Sequence, residues 1–262
     1  MTAAGALALA ACTSTSPTST SISPTLRPDQ PSTGSAARPQ PSEASRALSD
    51  YYSRIQQNYL AQGLLRVDGG GPDTPFTERQ LVANFIQIAL FTEFTNVGGR
   101  MVRNETETEL HRWEGPIRMK AHFGSTVPLE NRQNDEAQLE RFAARLSRIT
   151  GLPISLSDQA PNFHIFILNE DERRVLGPDL RAISSEIVPE VVNIIENMRQ
   201  TDYCLALGII GDRVGIYEQA VIVIRAEHPD LLRLSCIHEE LAQGLGLPVV
   251  LTVRQDEIKD VH

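Results

Sequence analysis

The chain has 262 residues, 41% of them hydrophobic and 22% charged, with a formal net charge of -9. That apolar content suffices for a core, and the acidic balance excludes nonspecific nucleic-acid binding through a basic surface. No apolar run reaches the roughly 18 to 20 residues of a membrane-spanning helix, and 3 Cys are too few for a disulfide-dense miniprotein.

Residues 1–12 read as the remnant of a secretory signal. The short apolar run from Ala3 closes in Leu9-Ala10-Ala11-Cys12, which resembles a bacterial lipobox. The resemblance implies that the Cys12 sulfur carries a diacylglycerol and that the protein is lipid-anchored in the cell envelope, facing the periplasm. Thr13 after the cysteine points to the outer membrane. No Lys or Arg precedes the apolar run, so the expected start lies upstream of Met1 or the chain was trimmed. Residues 13–42 hold eight Ser, six Thr and six Pro. Such a segment buries too little apolar surface to offset its ordering entropy and reads as a disordered linker.

The folded domain is expected over residues 43–248. Ser42 to Ala61 has helical spacing, with Leu48, Tyr51, Tyr52, Ile55 and Tyr59 on one side and Gly63 as the stop. Asp68-Gly69-Gly70-Gly71-Pro72 is a loop that lacks a P-loop lysine. Thr77 to Thr95 is a second helix, capped by Thr77 with Gln80 at the capping-box position. Glu105 to Glu109 reads as a solvated loop or edge strand. Ile117 to Phe123 alternates apolar and polar residues as a half-exposed strand does. Asn134 to Ile149 is a third helix, ended by Gly151 and Pro153. Phe163 to Leu168 is a short apolar run that suits a strand covered on both faces, with His164 a hydrogen-bonded core residue. A helix follows over Ser184 to Met198, with Pro189 inside it. Cys204 to Ile210 and Gln219 to Ile224 are strands. Pro229 opens a helix that closes at Gly246 and Pro248. Residues 249–262 form an atypical tail that reads as truncated or out of frame. Helices alternating with strands give an α/β layered fold, a mixed sheet backed by helices.

Ser235-Cys236-Ile237-His238-Glu239-Glu240-Leu241-Ala242-Gln243-Gly244-Leu245-Gly246-Leu247-Pro248 resembles an uncharacterised family of proteobacterial lipoproteins, defined by a domain of unknown function. Tyr59 to Arg66 and Ala83 to Leu90 are similar to its N-terminal half. The family carries no activity to transfer.

The same helix is similar to the active-site helix of zincins, which implies a zincin-like fold with this helix under a cleft. Zincins carry H-E-x-x-H, two zinc-binding imidazoles one turn apart and a glutamate that activates the bound water. From His238 the second ligand position falls on Ala242. Shifted by one, Glu239 and Gln243 take the ligand positions and Glu240 that of the general base. Two readings stay open. In one, the domain is a degenerate metallopeptidase-like module that binds an envelope protein or peptide. In the other, it is an atypical metal-dependent hydrolase with zinc on His238, Glu239 and Gln243 and Glu240 as base. There is no G-x-S-x-G elbow, and Glu239 and Glu240 point about 100° apart, unlike a glycosidase pair.

With Cys12 lipidated, two cysteines remain in an oxidising compartment. Cys204 opens a strand and Cys236 lies on the motif helix, so a Cys204–Cys236 disulfide forms if that helix crosses the strand's end. Two buried thiols are the alternative.

Overall fold

The computed structural model describes residues 39–65, 75–97, 100–247 and 251–254. Cys12 and its lipobox, most of the linker, the glycine loop at 68–72 and most of the tail lie outside the described residues. No helix among the described residues is long and apolar enough to cross a membrane.

Helix α1 runs from Glu43 to Ala61, with the Ser42 side chain accepting from the Ser45 backbone N–H at its start. Helix α2, Glu78–Ala89, begins with the expected Thr77–Gln80 capping box. It stops earlier than the spacing predicts, because Phe91–Val97 leaves as strand β1 and pairs antiparallel with β2, Arg100–Glu107. β-branched and aromatic residues there favour an extended chain. The apolar side of α2 is not buried: Leu81, Phe85 and Ile88 are exposed and only Ala89 is enclosed.

Strand β3 (Ile117–Phe123) leads into α3, Leu129–Thr150, which starts one turn before the expected position and ends at the left-handed Gly151. Then follow β4 (Ile154–Leu156), β5 (Phe163–Leu168), and the short helices α4 (Glu170–Arg173) and α5 (Gly177–Ile183). Helix α6 is Pro189–Glu196. Pro189 opens this helix instead of interrupting it, because a first-turn N–H has no intrahelical partner to lose. Strands β6 (Cys204–Ile210) and β7 (Tyr217–Arg225) form a hairpin. Helix α7 (Asp230–Gln243) follows, and β8 (Leu251–Arg254) comes from the segment that read only as tail.

The main sheet has six strands in the order β4-β3-β5-β7-β6-β8. β4, β3, β5 and β7 are mutually parallel, β6 is antiparallel to β7, and β8 is parallel to β6. The layered mixed α/β architecture is thus as expected. Its central strands are covered on both faces, and their side chains divide by the two-residue period of a strand. Phe163, Ile165 and Ile167 of β5 join Ala220, Ile222 and Ile224 of β7 in the core shared with α3 and α7. Phe166, Leu168, Val221 and Val223 join Leu180, Val191 and Ile195 of α5 and α6 on the other face.

Buried charge closes the end of this second face. Glu170 lies between Arg173 and Arg225, at 2.7 and 2.6 Å. Burial alone would raise its pKa, but the hydrogen bonds and charges of the two arginines hold it down to about 2. Glu227 accepts from the Ser45 hydroxyl at 2.7 Å and from the Glu170 backbone N–H at 2.6 Å, which pins α1 to the strand ends.

Candidate functional site

On α7, Ile237 and Leu241 are enclosed in the core, as the apolar stripe predicts. Cys236 and Glu240 share that inward side, Glu240 being only 4% exposed, while Glu239 and His238 point outward and Gln243 is half-buried. The expected disulfide is present: Cys204 and Cys236, 32 positions apart, are bonded with their Cα atoms 5.9 Å apart.

The two glycines that complete the motif are packing residues. A Cβ on Gly244 would stand 2.7 Å from the ring of Phe163, and the Gly244 carbonyl accepts from the Trp113 indole N–H at 2.8 Å. Gly246 has a φ of 127° and passes so close to the His111 carbonyl that a Cβ would lie 2.3 Å from it. Any other residue would be strained there.

The candidate metal ligands are only partly brought together. Carboxylate oxygens of Glu239 and Glu240 lie within 4.8 Å of each other and of the Cys204 sulfur. His238 does not belong to that group. The His238 ring is tilted against that of Phe142, centroids 4.2 Å apart, and burial, with the charge of Arg145, lowers its pKa. The cysteine of the group is bound in the cystine, and zinc takes thiolate, not disulfide, sulfur. Glu240, turned toward the core, does not stand on a cleft surface where a water could be activated. The residues of α7 therefore do not fit a catalytic zinc.

On the opposite face of the sheet lies a cavity of about 700 Å³. It opens between α5 and the two strands β3 and β5. Phe166, Leu176 and Ile183 give it apolar walls, and His122, His164 and Asp179 line it as well. This size and mixture are those of a small-ligand site. One end is organised by Glu172, whose carboxylate accepts from the Ser125 hydroxyl (3.0 Å) and from the Thr126 (2.8 Å) and Asn169 (3.0 Å) backbone N–H groups. Gly124 permits this, since a Cβ there would meet the same carboxylate at 1.8 Å.

The two imidazoles are diagonal neighbours on adjacent parallel strands, His122 opposite Phe166 and His164 opposite Lys120. Nε2 of His122 and Nδ1 of His164 are 3.2 Å apart. The His122 ring is stacked against Phe166, centroids 4.4 Å apart, and against His164 at 5.4 Å. Burial, helped by the nearby Lys120 charge, lowers the His122 pKa against the pull of Asp179 and Asp158. Burial with His122 and Lys120 takes His164 down to about 4, a hydrogen bond with the Pro161 backbone opposing. Gln219 also lines the cavity, and its Oε1 atom is buried with no hydrogen-bond partner among the described residues.

His164 is hydrogen-bonded and 9% exposed, as expected of a core histidine, but its partner and the cavity were not legible. The available signal was a single polar residue in the otherwise unbroken apolar run Phe163 to Leu168. In the sequence His111 stands in a charged stretch and His228 precedes Pro229. Both are buried, His111 stacked on Tyr217 and His228 with Nε2 2.9 Å from the Tyr203 carbonyl.

Fold and sites together define a layered α/β domain whose motif helix is absorbed into packing and whose cavity lies on the other side of the sheet. The chain belongs to a family of proteins of unknown function (DUF2927), whose model matches residues 78–249. No curated protein and no solved structure matches the chain.

Proposed function

We propose that this protein is a non-catalytic binding module of the cell envelope, tethered through a lipid on Cys12. It takes a small ligand in the cavity between α5 and strands β3 and β5. The observation that carries the reading is the cavity itself, about 700 Å³ with apolar walls and the His122–His164 pair on one side. The Cys204–Cys236 disulfide fits an oxidising compartment. A lipid anchor and the Ser/Thr/Pro linker of residues 13–42 would keep such a module at the membrane while leaving it free to reach a peptide or envelope protein.

The degenerate zincin reading belongs to the same proposal: α7 retains the helical motif for packing, and its exposed Glu239 and His238 offer a surface for a protein partner. The rival is a metal-dependent hydrolase with Glu240 as general base, supported by the proximity of the Glu239 and Glu240 carboxylates. Thermal-shift screening of the purified domain against small molecules tests the binding reading. Stabilisation that Phe166→Ala weakens supports it. A hydrolytic activity that Glu240→Gln lowers by the hundredfold or so of a lost general base overturns it. Membrane fractionation of wild type and Cys12→Ala tests the anchor, and wild-type protein found wholly in the soluble envelope fraction overturns it.

A further inference from the structure

We propose that the cavity binds a divalent late transition-metal ion, held by Nε2 of His122 and Nδ1 of His164, with oxygen from Asp179, Gln219 or water completing its shell. The inference rests on the binding reading above and names its ligand. It concerns the face of the sheet opposite the zincin-like helix and uses none of that helix's residues.

The first support is the span between the nitrogens. Two imidazole nitrogens at the usual 2.0 to 2.1 Å from a tetrahedral zinc lie about 3.3 to 3.4 Å apart. Those of His122 and His164 are 3.2 Å apart before any ion arrives. The same span suits one N–H···N hydrogen bond, so the surroundings must decide between the two. A pair that serves only to satisfy itself belongs in a closed core, whereas this pair stands on the wall of a roomy cavity. The rings are also held in place: Phe166 stacks on His122, which in turn stacks on His164. Rings fixed in this way lose little freedom when they ligate.

Charges of both signs stand around the pair. Asp179 lines the cavity and Asp158 acts on His122, while Lys120, the cation beside them, is engaged with Asp158 at 3.2 Å. Gln219, whose Oε1 is buried and without a partner among the described residues, also lines the cavity.

Among the described residues no His, Cys, Asp or Glu completes a group of three with this pair. Among the described residues, the group of three potential ligands within a 4.8 Å span is Cys204, Glu239 and Glu240, on the other face. Asp179, exposed on α5, must swing inward, or water must fill the shell. Two nitrogens with oxygen select zinc, copper(II), nickel or cobalt over calcium and magnesium, which prefer all-oxygen shells.

The test uses the full chain with its disulfide intact, stripped of metal by chelator and titrated with zinc, cobalt(II) and magnesium. The expected result is one zinc or cobalt(II) ion per chain, visible-range cobalt(II) absorption of nitrogen ligation, and no magnesium binding. His122→Ala and His164→Ala should each weaken zinc binding by more than about tenfold, while Glu239→Gln leaves it unchanged. Should either histidine variant fail to fold, nitrogen-detected imidazole NMR of the wild-type protein answers instead. Zinc should move the His122 and His164 signals and leave those of His111 and His228 in place. No zinc binding, or binding that moves only His238, overturns the proposal. A small organic ligand that occupies the cavity while zinc does not bind overturns the metal assignment alone and leaves the binding reading standing.

Discussion

Both faces of the sheet bury an ion pair, Asp135–Arg233 between α3 and α7 and Glu170 with its arginines on the other side, but they differ in what they leave open. On the α3–α7 side the motif residues are consumed by packing: Ile237 and Leu241 fill the core, Cys236 is bridged to Cys204, and Gly244 lets α7 touch Phe163. On the α5–α6 side some polar groups also stand beside open space. Glu170 with its two arginines closes one end, and His122 and His164 stand in an open cavity beside α5. A conspicuous motif thus accompanies the sealed face, and the accessible chemistry lies where the sequence has no motif. Spacing along a helix tells which residues share a side, not whether that side meets solvent.

Acid should break the comparison most strongly. The pKa values of His111, His164 and His228 are lowered by burial to about 4, from an ordinary 6.5. A lowered pKa means that the unfolded chain takes up protons first. Stability is therefore full above pH 6.5 and falls as the pH drops toward 4. With up to three protons at stake the slope reaches about 4 kcal/mol per pH unit. Glu170, held down to about 2, keeps its ion pairs through that window and loses them only below it. Chemical denaturation between pH 7 and pH 4.5 checks the sign, and a flat stability profile would contradict the burial of these histidines.

At neutral pH the largest single-site effect is expected from Glu170→Gln. It leaves the buried guanidinium groups of Arg173 and Arg225 short of their counter-charge, at a cost of about 3–5 kcal/mol. Hydrogen exchange should show the loosening concentrated in α4, α5 and the end of β7.

Removing the disulfide as Cys204→Ala with Cys236→Ala should cost about 3–4 kcal/mol, from the chain entropy of the loop it closes. Denaturant midpoints measure that loss. If the faces are independent, the variant that still folds keeps its ligand site beside α5. Loss of zinc binding in proportion to the lost stability would show instead that they are coupled through the sheet.

Gly244→Ala is expected to destabilise by about 1–3 kcal/mol, because the added methyl meets the Phe163 ring. Glu239→Gln, on the exposed side of α7, should stay within about 0.5 kcal/mol. If Gly244→Ala proved harmless while Glu239→Gln abolished an activity, the motif would be catalytic after all.

What the sequence determined by itself is what short-range physics controls. Ser42, the Thr77–Gln80 box and Gly151 set helix ends through local hydrogen bonds and backbone freedom. The apolar runs at Phe163 and Cys204 marked strands covered on both faces, and two cysteines in an oxidising setting indicated the bridge. Tertiary structure alone decided the rest. Phe91 to Thr95 continues a helical pattern, yet belongs to a strand that pairs with another further along the chain. Residues 251–254 acquire meaning only beside β6. Glu239 and Glu240, adjacent in sequence, face solvent and core because β6 and β7 lie beneath α7. His122 and His164, 42 positions apart, become neighbours only because β3 and β5 align in parallel. Register between strands is set by the sum of many side-chain contacts across the whole sheet, and no local window of sequence contains that sum.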